Sequence, residues 1–100
     1  MQISEVSVNI IKPKDGLIGF ASLVVADSLF LSGIGIHQKL NGHGYRMTYP
    51  TRKSGAQNFD VFHPINRAAG KAIEDAILEK LNDVLNRLEK HAGHNRTDTT

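Results

Sequence analysis

The front of the chain alternates. Val6, Val8 and Ile10 are interleaved with Ser7 and Asn9, a period of two that predicts a half-buried strand. Pro13 cannot donate to a ladder and is expected to end it. Asp15-Gly16 suits a tight reversal. Leu17 to Ala26 is nearly continuous in apolar residues, as in a strand covered on both faces or central in its sheet. Asp27-Ser28 reads as the next reversal. Leu29 to Leu40 predicts a third strand with Phe30, Ile34 and Ile36 on one face, and Gly33 and Gly35 mark it for a bulge or bend. Asn41-Gly42 predicts a hairpin through a type I′ turn, which needs positive φ at both central residues. Tyr45, Met47 and Tyr49 then alternate with Arg46 and Thr48, a fourth strand. Thr51 to Gln57 is polar with a Ser-Gly turn signal, and Asn58 to Phe62 reads as a short last strand closed by His63-Pro64.

The period then changes. Ile73, Ile77, Leu81, Val84 and Leu88 recur at spacings of 4, 4, 3 and 4, one stripe on a 3.6-residue repeat, which Leu78 and Leu85 widen. Asn66 is placed to cap the first turn. Asp83 and Arg87 form a favourable i,i+4 pair on the outside. Gly93 is the expected stop. A single helix from Arg67 to His91 would be about 37 Å long, with Gly70 weakening its first turns. Residues 92–100 lack periodicity and are expected to be a disordered tail.

Strands in succession followed by one helix predict an α+β domain over residues 1–91. It is an antiparallel β-meander of about five strands with the C-terminal α-helix packed on the sheet. One helix leaves strand edges and apolar surface uncovered, so a homodimer is expected.

One hundred residues make one domain. An apolar fraction of 40% with 22% charged residues excludes wholesale disorder. The chain has no cysteine, which excludes disulfides and thiolate metal sites. No apolar run approaches the roughly 20 residues of a membrane span, and the first residues have no basic and apolar leader pattern. A cytoplasmic protein is the expectation.

The net charge of +2 conceals an uneven distribution. Residues 1–38 sum to −1 and residues 72–100 to −2. Residues 39–71 carry Lys39, Arg46, Arg52, Lys53, Arg67 and Lys71 against Asp60 alone, a block of +5. Such a block suits an anionic partner; the alternative is a basic solvated surface.

Motifs for catalysis do not stand out. Neither dinucleotide nor P-loop glycine patterns occur, nor H-E-x-x-H, nor G-x-S-x-G. Gly33-x-Gly35 lies inside an apolar strand, where a bend explains it better than a phosphate loop. His37, His43 and His63 have no spacing that requires a shared metal. Glu74 and Asp75 are neighbours on a helix and point in different directions. No enzyme activity, cofactor or metal is expected.

The strongest feature runs from Tyr49-Pro50-Thr51-Arg52-Lys53 to His63-Pro64-Ile65-Asn66. Two adjacent cations leave a strand. A second proline turn delivers the chain to a helix start that bears Arg67 and Lys71. A helix N-terminus favours anions through its dipole and free N–H groups, and Arg and Lys add charge-assisted contacts.

The order Gly44, Tyr49-Pro50-Thr51-Arg52-Lys53, Gly55, Asp60, His63-Pro64-Ile65-Asn66 resembles the SpoVG family, the stage V sporulation protein G or septation proteins of bacteria. The resemblance covers roughly residues 2–85. Members show a Pro-Ser-[Arg/Lys]-[Arg/Lys] segment, then Asp-x-x-His-Pro-Ile. Here Tyr49 stands in place of the usual Met and Thr51 in place of Ser. Many members end in an acidic tail, whereas this chain has His91, His94 and Arg96. The resemblance implies a non-catalytic α+β dimer that binds DNA or RNA as a regulator, linked to septation, sporulation and gene expression. Mapped onto this chain, Arg52, Lys53, Arg67 and Lys71 become the leading phosphate contacts, with Arg46 and Lys39 supporting. A protein-interaction module of the division machinery, without nucleic-acid binding, is the rival reading.

Overall fold

In the computed structural model the backbone is described for residues 1–99 and the side chains for residues 1–89. Six strands precede one helix: β1 (Ile3–Lys14), β2 (Leu17–Val25), β3 (Leu29–Gln38), β4 (Tyr45–Thr48), β5 (Thr51–Ser54), β6 (Gln57–Asp60) and α1 (Arg67–Thr99). The first four form an antiparallel meander in the order β1-β2-β3-β4; β5 and β6 form a separate two-stranded ribbon. The architecture is α+β, with one strand more than the alternation of the sequence predicts. The extra strand is the polar segment Thr51–Ser54. Both strands of its ribbon are exposed throughout, so nothing imposes an apolar period on them.

The core lies between the helix and one face of the meander. Val8, Ala21, Leu23, Ile34 and Ile36 from the sheet meet Ile73, Ile77 and Leu81 from the helix. Burying each of the larger aliphatic side chains contributes about 1.5–3 kcal/mol. The predicted stripe is therefore correct over its first three members. Val84, Leu78 and Leu85 are partly buried, but Leu88 is 52% exposed, because the helix outruns the sheet.

Asn66 caps as expected: its Oδ1 accepts from the Ala69 N–H at 2.7 Å, and Arg87 pairs with Asp83 at 3.1 Å. The Gly70 N–H donates to the Asn66 carbonyl at 3.1 Å, so the helix starts without a break. The backbone stays helical through Gly93 to Thr99, beyond the stop expected at Gly93. A glycine ends a helix only where it takes a left-handed turn; inside one it costs about 1 kcal/mol. The side chains of 90–100 lie outside the described residues. Among the described residues, no helix is long and apolar enough to cross a membrane.

Three local expectations are corrected. First, β1 runs past Pro13 to Lys14. It is an edge strand of the meander, where a missing donor is tolerated. Second, Phe30 does not share a face with Ile34 and Ile36. The ladder slips between Ala21↔Ile34 and Leu23↔Leu31, and Gly33 within the slip has φ 78°. That bulge inverts the alternation, so Ile34 and Ile36 are fully buried while Phe30 is 69% exposed on the opposite face. Third, Asn41-Gly42 is not a two-residue turn. Gln38 pairs with Tyr45, and the wider loop between them is closed by Lys39 N–H to the Gly44 carbonyl (3.1 Å) and Gly42 N–H to the Lys39 carbonyl (2.9 Å). The Asn41 side chain instead accepts from the His43 N–H at 2.9 Å, an Asx turn.

The β2–β3 reversal carries strain. Ala26 and Asp27 both have φ 53°, and the Ser28 N–H donates to the Val25 carbonyl at 3.0 Å, the pattern of a type I′ turn. A left-handed backbone costs a residue with a Cβ about 1–2 kcal/mol, of which a glycine's unfolded-state entropy returns about half. Ala26→Gly is therefore expected to stabilise the domain by about 0.5–1 kcal/mol and raise Tm by a few degrees. A calorimetric scan that shows a lower Tm would contradict the turn geometry.

Candidate nucleic-acid interface

Strand β4 brings Arg46 beside the helix start. Its register is Gln38↔Tyr45, His37↔Arg46, Ile36↔Met47 and Gly35↔Thr48. A hydrogen bond between His37 Nε2 and Thr48 Oγ1, 2.9 Å long, crosses over residue 35. A Cβ there would lie 2.5 Å from Thr48 Oγ1 and 3.2 Å from His37 Nε2, so glycine is required for the close approach. This clamp holds the β3–β4 end of the sheet, from which Lys39 and Arg46 extend.

An open depression lies between β4 and the first turns of α1. Lys39, Arg46, Tyr49, Pro64, Gly70 and Glu74 line it. It continues into a second hollow lined by Arg67, Gly70, Lys71, Glu74 and Asp75, and on the other side into one that shares Lys39 and Arg46 with His37 and Asn41. Four of the six cations singled out in the sequence thus border one continuous surface. Lys39 and Arg46 border it together with Arg67 and Lys71. Arg46 and Arg67 are 21 residues apart in the chain, and local pattern gives no sign that β4 comes to lie beside the helix start.

The charges on this surface are only partly compensated. Lys71 Nζ is 3.0 Å from Asp75 Oδ2, with both groups well exposed, so the pair is weak and exchangeable. Among the described residues, Lys39, Arg46 and Arg67 have no carboxylate within ion-pair distance. No acidic residue stands in the first turn of the helix, leaving the positive end of its dipole unopposed. Against the four cations stand Glu74 and Asp75. Tyr49 sits at the floor, edge-on to Phe62 with ring centroids 6.0 Å apart. Burial, with a contribution from the Glu74 carboxylate, raises the Tyr49 pKa above the phenol's ordinary value, so the ring remains a neutral hydroxyl at physiological pH.

Arg52 and Lys53 are placed elsewhere, on the β5–β6 ribbon. Arg52 pairs across from Phe59 and Lys53 from Asn58, and all are exposed. Among the described residues, the ribbon is tied down at its root. There the Val61 N–H donates to the Pro50 carbonyl at 2.8 Å, Tyr49 meets Phe62, and Asp60 Oδ2 lies 3.8 Å from His63 Nε2. The Asp60-x-x-His63-Pro64 motif thus has a structural role. It sets the Asp60 side chain at the end of β6 beside the turn that leads into the helix, and His63 Nδ1 contacts the Pro64 carbonyl at 3.0 Å. Of the three histidines weighed in the sequence, the rings of His37 and His63 meet Thr48 Oγ1 and the Pro64 carbonyl, and His43 enters the Asx turn through its backbone N–H.

Sequence comparison agrees with this arrangement of motifs. The SpoVG family model matches residues 1–83, from the first strand to the last buried turn of the helix. A protein of Phytoplasma australiense is 32% identical over 87 residues, spanning 86% of this chain and 88% of that protein. One of Finegoldia magna is 29% identical over 84 residues, spanning 83% of this chain and 76% of that protein. Both are named "Putative septation protein SpoVG". With the family match extending over most of its length, the chain belongs to the SpoVG family.

Proposed function

We propose that this chain is a non-catalytic, cytoplasmic nucleic-acid-binding regulator, acting as a homodimer in processes such as the septation for which its relatives are named. The observation that carries the reading is the gathering of Lys39, Arg46, Arg67 and Lys71 on one surface at the positive end of the helix. Phosphate oxygens suit such a surface, because guanidinium and ammonium groups make charge-assisted contacts with them. The surface is open and shallow, as a backbone track is. Exposed Phe20 and Phe30, on the sheet face opposite the helix, are what a second copy would cover, giving two such tracks per particle.

Titration of purified protein onto random duplex DNA and onto single-stranded RNA, at several salt concentrations, tests the reading. Binding is expected to weaken linearly in log–log form as salt rises, by counterion release. Nuclease-treated protein that binds neither polymer at low salt would instead favour a protein-interaction module.

A further inference from the structure

The loop between β3 and β4 holds the one asparagine of this chain that is followed by glycine, Asn41 before Gly42. Asparagine is a thermolabile residue, and its own backbone makes it so. The amide nitrogen of the next residue can attack the side-chain carbonyl and close a succinimide ring. A side chain on that next residue crowds the attack, and glycine has none. The surroundings are open as well. A Cβ placed on Gly42 would meet no atom within 4 Å, and both residues are exposed.

The turn also activates the amide. Asn41 Oδ1 accepts from the His43 N–H at 2.9 Å. Ring closure drives negative charge onto that oxygen, and a backbone N–H already aimed at it stabilises the charge as an oxyanion donor does. The attacking nitrogen is engaged elsewhere, since the Gly42 N–H donates to the Lys39 carbonyl at 2.9 Å. That bond must open first, so the reaction is slow and follows local opening of the loop.

The consequence is electrostatic. Asn41 lines a hollow together with Asp15, His37, Lys39 and Arg46. Lys39 and Arg46 there face the carboxylate of Asp15. A carboxylate at position 41 would set two acids against the two cations, and opposite charges on one surface lower its attraction for an anion.

We propose that Asn41 is a self-modifying site, a slow chemical timer whose conversion to aspartate or isoaspartate weakens the basic surface for anions. The Gly42 nitrogen loses its proton to solvent base and bonds to Asn41 Cγ. The Cγ–Nδ2 bond breaks and ammonia leaves. Water then adds to one of the two ring carbonyls and breaks its bond to the Gly42 nitrogen, which regains a proton. Breakage at Cγ gives aspartate, and breakage at the main-chain carbonyl gives isoaspartate. Either product carries a carboxylate in place of a neutral amide, and no oxidant or reductant is consumed. The chemical step stands on the loop alone; its effect on binding rests on the phosphate reading above.

Incubation of the folded protein at mildly alkaline pH, with peptide mass mapping at intervals, tests the step. Residue 41 is expected to gain the amide-to-acid mass before any other asparagine, and part of the product should accept a methyl group from an isoaspartyl methyltransferase. His43→Pro, which lacks the donor N–H, should convert more slowly, and Asn41→Gln should not convert over the same period. Retention of the Asn41 amide, earlier conversion elsewhere, or an undiminished rate in His43→Pro would overturn the proposal. Asn41→Asp tests the consequence. Its log–log salt slope on duplex DNA should fall by about one unit, at roughly 0.9 per phosphate neutralised, with its circular dichroism unchanged. A slope equal to that of the wild type would overturn the timer. Absence of binding by both proteins would instead remove the phosphate reading, while the mass at position 41 still decides the chemical step.

Discussion

Ile77→Pro is expected to abolish the cooperative thermal transition of this domain. Ile77 is fully buried, between Ile73 and Leu81 on the helix and against the sheet core. A proline there deletes an i→i−4 hydrogen bond and clashes with the preceding turn, at a cost of about 3 kcal/mol or more. Loss of the buried isoleucine adds roughly 2–5 kcal/mol. Together these equal or exceed much of the 5–15 kcal/mol that typically holds a domain. Leu88→Pro provides the comparison. It is also within the helix, but beyond the sheet and half exposed, so it should fray the helix end and leave the melt largely intact. Circular dichroism separates the outcomes. Equal melts for the two variants would mean that the helix does not close the core at Ile77.

The second large effect concerns binding. The combined variant Lys39→Ala, Arg46→Ala, Arg67→Ala and Lys71→Ala should bind duplex DNA at least about a hundredfold more weakly at low salt, since hydrogen bonds to charged groups are each worth about 1.5–3 kcal/mol. Its log–log salt slope should fall by roughly three to four units, at about 0.9 per phosphate neutralised. Its melting temperature should barely move. All four side chains are exposed, and the single ion pair lost, Lys71–Asp75, is a surface pair worth at most about 1 kcal/mol. Lys80→Ala with Arg87→Ala is the control. Both cations lie near Asp83, at 3.9 and 3.1 Å, farther along the helix. A control variant that lowers the salt slope as much as the fourfold one would relocate the phosphate track away from the helix start.

Local pattern determined a large part of this fold. The alternation of Val6 and Val8, the apolar run from Leu17, the stripe Ile73–Ile77–Leu81 and the Asn66 cap are each decided by neighbours within one or two turns of chain. Backbone periodicity forces such residues to one side before any tertiary contact exists. The basic composition of residues 39–71 and the Pro50-to-Asn66 motif were equally legible, and the family follows from them. Tertiary structure decided what depends on register and on long-range approach. One extra residue at Gly33 sends Phe30 to the open face while Ile34 and Ile36 stay in the core, because a strand has a period of two and a single insertion inverts it. A polar stretch became a strand because its hydrogen bonds are satisfied by β6 and not by burial. Lys39 and Arg46 joined Arg67 and Lys71 because β4 folds back beside the helix start. Arg52 and Lys53, closer in sequence, were carried away on the ribbon. Charge is written in the sequence, but which charges share a surface depends on how the strands pair.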